Sequence, residues 1–301
     1  DGLVMSFTAV SDQPVRTTRE FRAMNTDWWI EARGCADLHE IEVRVHEAEA
    51  AFSRFRASSL LSRLNRDRRV VDAELAALVR RALEMQVATR GVFDPRVGLE
   101  LVAAGYDRSF ELLSERVEDR IVVLAPPVEL LTLDVQGSEV RLAGVGALDL
   151  SGIAKGWTID QLAEALQARG CRDYLIDGGG DIRAGGVGEG GLSWAVGVGD
   201  GLAIRLADRA VCTSSKTKRR WRTPRGEAHH IIDPLAGGPS RSAVTTAVVV
   251  ADDATTADSL ATAVIADPEA GLRAVVQLGG EALMDSDETW EMTPGMKGLL
   301  I

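Results

Sequence analysis

Long apolar runs, closely spaced cysteines and an excess of basic charge are all missing from this 301-residue chain. No run of roughly 18 apolar residues occurs, which argues against a transmembrane helix. Cys35, Cys171 and Cys212 stand far apart and form no C-x-x-C, which disfavours zinc binding, thioredoxin-like chemistry and a disulfide framework. Lys and Arg number 34 against 45 Asp and Glu, a net charge of −11. That balance argues against a general nucleic-acid or anionic-membrane binder, while leaving room for a local basic pocket. No G-x-x-x-x-G-K-[ST] is present, so this is not a P-loop protein, and there is no G-x-S-x-G. Gly186, Gly188 and Gly191 fit G-x-G-x-x-G, but strand-like sequence follows where the dinucleotide fingerprint requires a helix, so a hairpin turn is the better reading. The sequence given starts at Asp1 with neither a signal-peptide core nor a lipid-attachment cysteine. The expected compartment is the cytoplasm, with a trimmed exported form as the alternative.

What is present is the balance of an ordinary globular protein, 46% hydrophobic and 26% charged. The length suits one large domain or two intertwined ones. Residues 1–18 read as a polar lead-in and 19–301 as the folded unit. Helical spacing of apolar residues marks 37–54, 72–90, 154–169 and 255–266. Strand-like runs occupy 28–32, much of 121–150, 174–176, 192–213 and 244–250, and 271–301 reads as short strands and turns. No βαβ rhythm links them, so the expected class is α+β.

Ser151-Gly152-Ile153-Ala154-Lys155-Gly156-Trp157 follows an apolar run and opens a helix. The first N–H groups of a helix lack intrahelical partners and carry partial positive charge, so the segment suits an anion, with Lys155 adding a full charge. An ordinary glycine-rich turn explains it equally well. Asp258 and Thr262 stand four apart and share a helix face, a carboxylate and a hydroxyl suited to a hard cation or to a solvated surface. His230, beside His229 and ahead of Asp233-Pro234, is either a general base or a histidine at a strand edge. Lys216, Lys218, Arg219, Arg220, Arg222 and Arg225 surround Trp221 in a basic run that either focuses an anionic ligand or acidic partner, or is a solvated loop.

Taken in order, eight blocks resemble the ApbE-type flavin transferases (FAD:protein FMN transferases): Met24-Asn25-Thr26; Phe52-Ser53-Arg54-Phe55-Arg56 with Ser62-Arg63-Leu64-Asn65; Gly91-Val92-Phe93-Asp94-Pro95; 151–156; Asp177-Gly178-Gly179-Gly180-Asp181; Ala210-Val211-Cys212-Thr213-Ser214; His230-Ile231-Ile232-Asp233-Pro234; and 257–263. The resemblance implies a single α+β unit with two intertwined lobes and FAD in the cleft between them. It implies a Mg²⁺ site at Asp258, Thr262 and the backbone carbonyls of Ala154 and Ala261. It implies flavin contacts at Met24, Phe55, Val92, Phe93, Asp94, Ser151, Lys155, Trp157 and Ile231. The implied reaction moves FMN from FAD to a Ser or Thr hydroxyl of an acceptor protein, releasing AMP.

His230 is the candidate base for that hydroxyl, with Asp233 or Asp181 as alternatives, and Lys155 stabilises charge on the phosphate. Two departures from the family pattern stand out: Asn25 replaces a common Gly, and Trp157 a common Tyr. The alternative functions are FAD hydrolysis to FMN and AMP, and flavin binding without catalysis. The basic run 216–225 is a candidate docking surface for the acceptor.

Overall fold

The computed structural model describes residues 15–35, 37–113, 130–199, 201–223, 226–286 and 289–301. The expected lead-in up to residue 14, the strand-like run at 121–129 and Arg225 lie outside them. The chain opens with β1 (Arg16–Ala23), β2 (Thr26–Arg33), α1 (His39–Phe52), α2 (Leu60–Asp67), β3 (Arg69–Val71), α3 (Ala73–Ala88), α4 (Gly98–Ala103) and α5 (Phe110–Leu113). The middle holds β4 (Thr132–Gln136), β5 (Glu139–Ala143), α6 (Ala154–Ala168), β6 (Tyr174–Gly178), β7 (Ile182–Gly185), β8 (Trp194–Gly199), β9 (Leu202–Leu206) and β10 (Ala210–Ser215). The remainder is β11 (Arg220–Thr223), β12 (Gly226–His229), β13 (Ile232–Asp233), β14 (Gly238–Pro239), β15 (Val244–Ala251), α7 (Ala254–Ala266), α8 (Pro268–Gln277), β16 (Glu281–Ser286) and β17 (Thr289–Met292). This is the expected α+β class.

One eight-stranded antiparallel sheet, ordered β1-β2-β6-β7-β10-β15-β16-β17, organises the molecule. Successive side chains in a strand point to opposite faces, and β15 uses both. Val248 and Val250 join the cluster with Trp194, Val196, Ile204 and Leu206 of the β8–β9 hairpin. Ala247 and Val249 join the opposite cluster with Leu260, Ala261 and Val264 of α7. That two-sided burial is why 247–250 reads as an unbroken apolar run. Helices α6 and α7 pack against each other on the α7 face. Their contact requires Gly156, because a Cβ there would lie 2.3 Å from the Ala254 carbonyl oxygen.

Several expectations need correction. Strand β1 begins at Arg16, inside the expected lead-in. Helix α8 occupies part of the stretch expected as strands and turns: Asp267 accepts the Ala270 N–H at 3.0 Å, and Pro268 sits at the first position, where its missing N–H costs nothing. Helix α2 has a similar start, with Ser59 accepting the Ser62 N–H at 3.0 Å. No α-helix follows Gly191, which disposes of the dinucleotide fingerprint. The segment is not a hairpin turn either, since β7 pairs with β6 and β10 while β8 pairs with β9. A disulfide also joins Cys35 to Cys171, 136 residues apart with Cα atoms 5.9 Å apart. Sequence distance hid the pair; the end of β2 and the start of β6 are brought together by their pairing.

Candidate active site

A cavity of about 430 Å³ opens where the β1–β2 turn, the 92–97 loop, the start of α6, the end of β10, α7 and the 230–234 segment converge. Its size is that of a small-molecule site. Met24, Phe55, Val92, Phe93 and Ile231 give it apolar wall; Lys155, Asp181, His230, Asp258 and Thr262 give it polar groups.

Met24 and Asn25 form the two-residue turn of the β1–β2 hairpin, both in the left-handed region with φ of 52° and 58°. Such a turn needs positive φ at both positions. Asn accommodates it readily, which accounts for Asn25 in place of Gly. Met24 bears the strain, and both turn residues line the cavity. The glycine-rich turn after β6 presses on this hairpin: Gly179 has φ of 74°, and a Cβ there would lie 1.9 Å from Thr26 Oγ1.

The 149–156 loop is held from behind. Asp149, buried, accepts the Ser151 N–H at 2.8 Å and the Ser151 hydroxyl, and pairs with Arg54 Nε at 2.6 Å. The α6 N-terminus has no side-chain cap of its own, and the Gly156 N–H donates to Asp258 Oδ2 at 3.1 Å. One of the N–H groups expected to await an anion is therefore already taken by a carboxylate from α7.

Asp258 is set in place by the start of its own helix. Asp253 caps α7 by accepting the Thr256 N–H at 2.7 Å. Asp160 of α6 accepts the N–H groups of Ala254 at 2.9 Å and Thr255 at 2.8 Å, and pairs with Arg183 of β7. Burial, and then the nearby Asp181, push the Asp258 carboxyl up to about 7, against the opposing pull of Lys155 and the Gly156 N–H. Thr262 lies one turn on, its hydroxyl 3.4 Å from Ser214 Oγ.

Lys155 Nζ pairs with Asp181 Oδ2 at 2.8 Å, and the Thr213 N–H donates to Asp181 Oδ1 at 3.0 Å. Burial would lower the Lys155 ammonium, but the Asp181 and Asp258 carboxylates outweigh it and the net shift is upward. His230 is pushed down to about 3, first by burial and then by the charge of Arg219. Its Nδ1 lies 3.3 Å from the Arg219 carbonyl oxygen, which can only accept. The proton therefore sits on Nδ1, and Nε2 is left with a lone pair.

The cavity lining brings together Met24, Phe55, Val92, Phe93, Asp94, Ser151, Ala154, Lys155, Asp181, His230, Ile231, Asp258 and Thr262 from the sequence reading. Asp94 is already engaged, by Arg96 at 2.5 Å and by Gln86 Nε2 at 2.8 Å. Three expected residues are not in the lining. Asp233 turns away to accept the Leu235 N–H at 2.9 Å and the Ala236 N–H at 3.1 Å. Trp157 packs against the core beneath α6, its indole beside Glu74. Ala261 is fully buried within α7. Among the described residues no group of three or more His, Cys, Asp and Glu gathers as a metal cluster.

Sequence reasoning missed Asp149, Arg54, Tyr106 and the placement of Arg219 in the cavity lining, apart from its basic neighbours. Asp149 had a signal, since an Asp two residues before a turn residue commonly accepts its N–H. Tyr106 had none. It becomes part of the site only because α4 and β11 meet there: it contacts Phe55 edge-on at 5.4 Å, stacks on Trp221 at 5.2 Å and meets His230 at 6.4 Å.

A family model described as the ApbE family matches residues 24–284. A FAD:protein FMN transferase of Treponema pallidum is 33% identical over 258 residues, covering 76% of this chain and 70% of its own length. One of Vibrio cholerae is 27% identical over 252 residues, covering 78% and 75%. The ApbE protein of Thermotoga maritima superposes with a TM-score of 0.79 at 25% identity, over 95% of this chain and 99% of that one. The flavin transferase ApbE of Vibrio cholerae gives 0.77 at 24% identity with the same coverage. These structures agree with the fold, and the sequence match is broad enough to fix the family. The chain belongs to the ApbE family of flavin transferases.

Proposed function

We propose that this cavity transfers FMN from FAD to a Ser or Thr hydroxyl of an acceptor protein, with Mg²⁺ bound, and releases AMP. The observation that carries the reading is the buried Asp258 carboxyl held beside the Lys155–Asp181 pair in the wall of a cavity that joins an apolar side to a charged one. Such a carboxylate suits a hard cation: burial and a second carboxylate resist its ionisation, and a bound cation would relieve both. Asp258, Thr262 and the carbonyls of Ala154 and Ala261 would hold Mg²⁺, which supplies neutralisation of charge on the reacting phosphate.

The acceptor oxygen forms a bond to the FMN phosphorus. The bond from that phosphorus to the bridging oxygen breaks, and AMP departs with that oxygen. The hydroxyl proton goes to His230 Nε2, the nitrogen left free by the Nδ1 contact to Arg219. Neutral His230 is in the right form to accept it, and the negative charge of an arriving phosphate raises its proton affinity. Lys155, held by Asp181, places positive charge at the helix start where the phosphates meet the wall.

Mass spectrometry of a Ser/Thr-containing acceptor domain after incubation with FAD and Mg²⁺ tests the reading. An added FMN mass and stoichiometric AMP are expected. AMP release at a rate no acceptor raises would favour the hydrolase instead. Tight FAD binding with neither product would leave only a binder.

We further assign the chain to an oxidising compartment, in place of the cytoplasm expected from its sequence. The Cys35–Cys171 disulfide supports this, since such bonds persist where thiols are not kept reduced. Alkylation of the native protein, denatured without reductant, should label only Cys212; labelling of all three cysteines would return it to the cytoplasm.

A further inference from the structure

We propose that Arg219 is the residue that selects a pyrophosphate-bearing ligand in this cavity, by binding the pyrophosphate of FAD. The assignment rests on the flavin-transfer reading above.

A charge census of the cavity singles it out. Arg54 is spent on Asp149 at 2.6 Å and Lys155 on Asp181 at 2.8 Å. The lining carboxylates Glu49 and Asp94 are held by Arg56 at 2.9 Å and Arg96 at 2.5 Å. Only Lys218 and Arg219 line the cavity as cations with no carboxylate partner among the described residues. Of the two, Lys218 is exposed and Arg219 half-buried. Among the described residues, a pyrophosphate entering this cavity would meet no cation free of a competing carboxylate other than these two, and Arg219 is the one set into the wall.

The backbone around Arg219 is pinned on both sides. Lys216 Nζ donates to the Ser242 carbonyl at 2.7 Å and to Ser242 Oγ at 3.0 Å. Trp221 Nε1 donates to the Ala104 carbonyl at 2.8 Å, with its rings stacked on Tyr106. Between these anchors the Arg219 carbonyl meets His230 Nδ1. The same residue thus places its backbone against the candidate base and its side chain in the cavity. Its charge acts on Lys155, Asp258, His230 and Tyr106, which locates the guanidinium on the polar side of the site. A planar guanidinium with forked donors matches phosphate oxygens two at a time, which an ammonium does not. The basic run therefore divides: Lys216 and Trp221 anchor, Arg219 faces the ligand, and Arg220 and Arg222 face out.

Titration calorimetry with ADP and with riboflavin tests this without requiring turnover. Arg219→Met should weaken ADP binding at least tenfold and leave riboflavin binding within twofold; Arg219→Lys should recover part of the loss. Unchanged ADP affinity in Arg219→Met would overturn the assignment. So would an equal loss for both ligands, which would mean that the cavity itself had collapsed, or failure of the unsubstituted protein to bind ADP. A protein that binds both ligands with the expected arginine dependence, yet transfers no FMN, would sink the transferase reading and leave Arg219 in place.

Discussion

Helix α7 enters the cavity wall with every residue from Ala254 to Ala261 buried, whereas the β11–β12 hairpin leading into His230 exposes Arg220, Arg222, Gly226 and Glu227. The α7 wall is bound at several points: Asp160 and Asp253 hold its first turn, Gly156 lets α6 close on it, and Asp258 reaches back to the Gly156 N–H. The hairpin is two short strands whose Arg220–Glu227 pair, at 3.7 Å, is exposed at both ends. Exposed pairs of that kind contribute little. The difference separates two duties. On the proposed reading, chemistry that needs fixed charge falls to the over-determined wall, and recognition of a variable partner to the adaptable one.

The strongest way to break this division is at Asp258. Asp258→Asn keeps the volume and removes the charge, and FMN transfer should fall by about 10²–10³-fold, the scale of losing one group that stabilises transition-state charge. The same variant tests the buried carboxyl. Its folded value of about 7 lies above the ordinary carboxylate value of 3.8. The folded state therefore holds the proton more tightly, and the associated stability is complete below about pH 4 and lost as pH rises through 7. In EDTA, the melting temperature of the unsubstituted protein should fall between pH 5 and 8 relative to Asp258→Asn, and Mg²⁺ at pH 8 should restore it. Parallel melting curves would show that Asp258 is not strained by burial.

Asp160→Ala should act on stability first. It leaves Arg183 without its carboxylate and the first two N–H groups of α7 without their acceptor. Breaking one partner of a buried pair costs about 3–5 kcal/mol. Denaturant unfolding that shows a loss below about 1 kcal/mol would mean that α7 is positioned by packing alone. On the hairpin the effect should be smaller and confined to the partner. Arg220→Glu with Arg222→Glu should raise the acceptor KM roughly five- to tenfold at low salt, leaving the KM for FAD unchanged, because rim charges chiefly alter encounter rates. An unchanged acceptor KM would remove the hairpin as a docking surface.

The two walls also differed in how much of them the sequence disclosed. Helix α7 was visible because its alanine-rich run has helical spacing, and Asp258 and Thr262 stand one turn apart on it. Strand β15 was visible for a related reason: Ala247 through Val250 are buried on both faces and read as one apolar block. The contacts that make a site of these elements were not visible. Asp160 looks like any polar residue on α6 until β7 brings Arg183 to it. Arg219 looks like one of six basic residues until the Trp221 and Lys216 anchors turn it inward. Short helices were missed because a cap and two turns, as in α2 and α8, leave too few apolar positions to establish a period.

Trp157 is where the sequence reading and the structure part most clearly, and it calls for the smallest effect. The resemblance implied a flavin contact there. The indole instead packs against the core and meets Glu74, whose carboxyl is raised chiefly by burial. Trp157→Phe keeps an aromatic ring in that space and removes only the buried indole N–H, which has no hydrogen-bond partner among the described residues. The dissociation constant for FAD should therefore stay within twofold. The buried indole N–H makes no hydrogen bond, so its removal should change stability by less than about 1 kcal/mol and leave the melting temperature nearly unmoved. Fluorescence titration of FAD into the variant decides the matter: a tenfold loss of affinity with an unchanged melting temperature would put the indole on the ligand and move the cavity wall one helical turn deeper into α6.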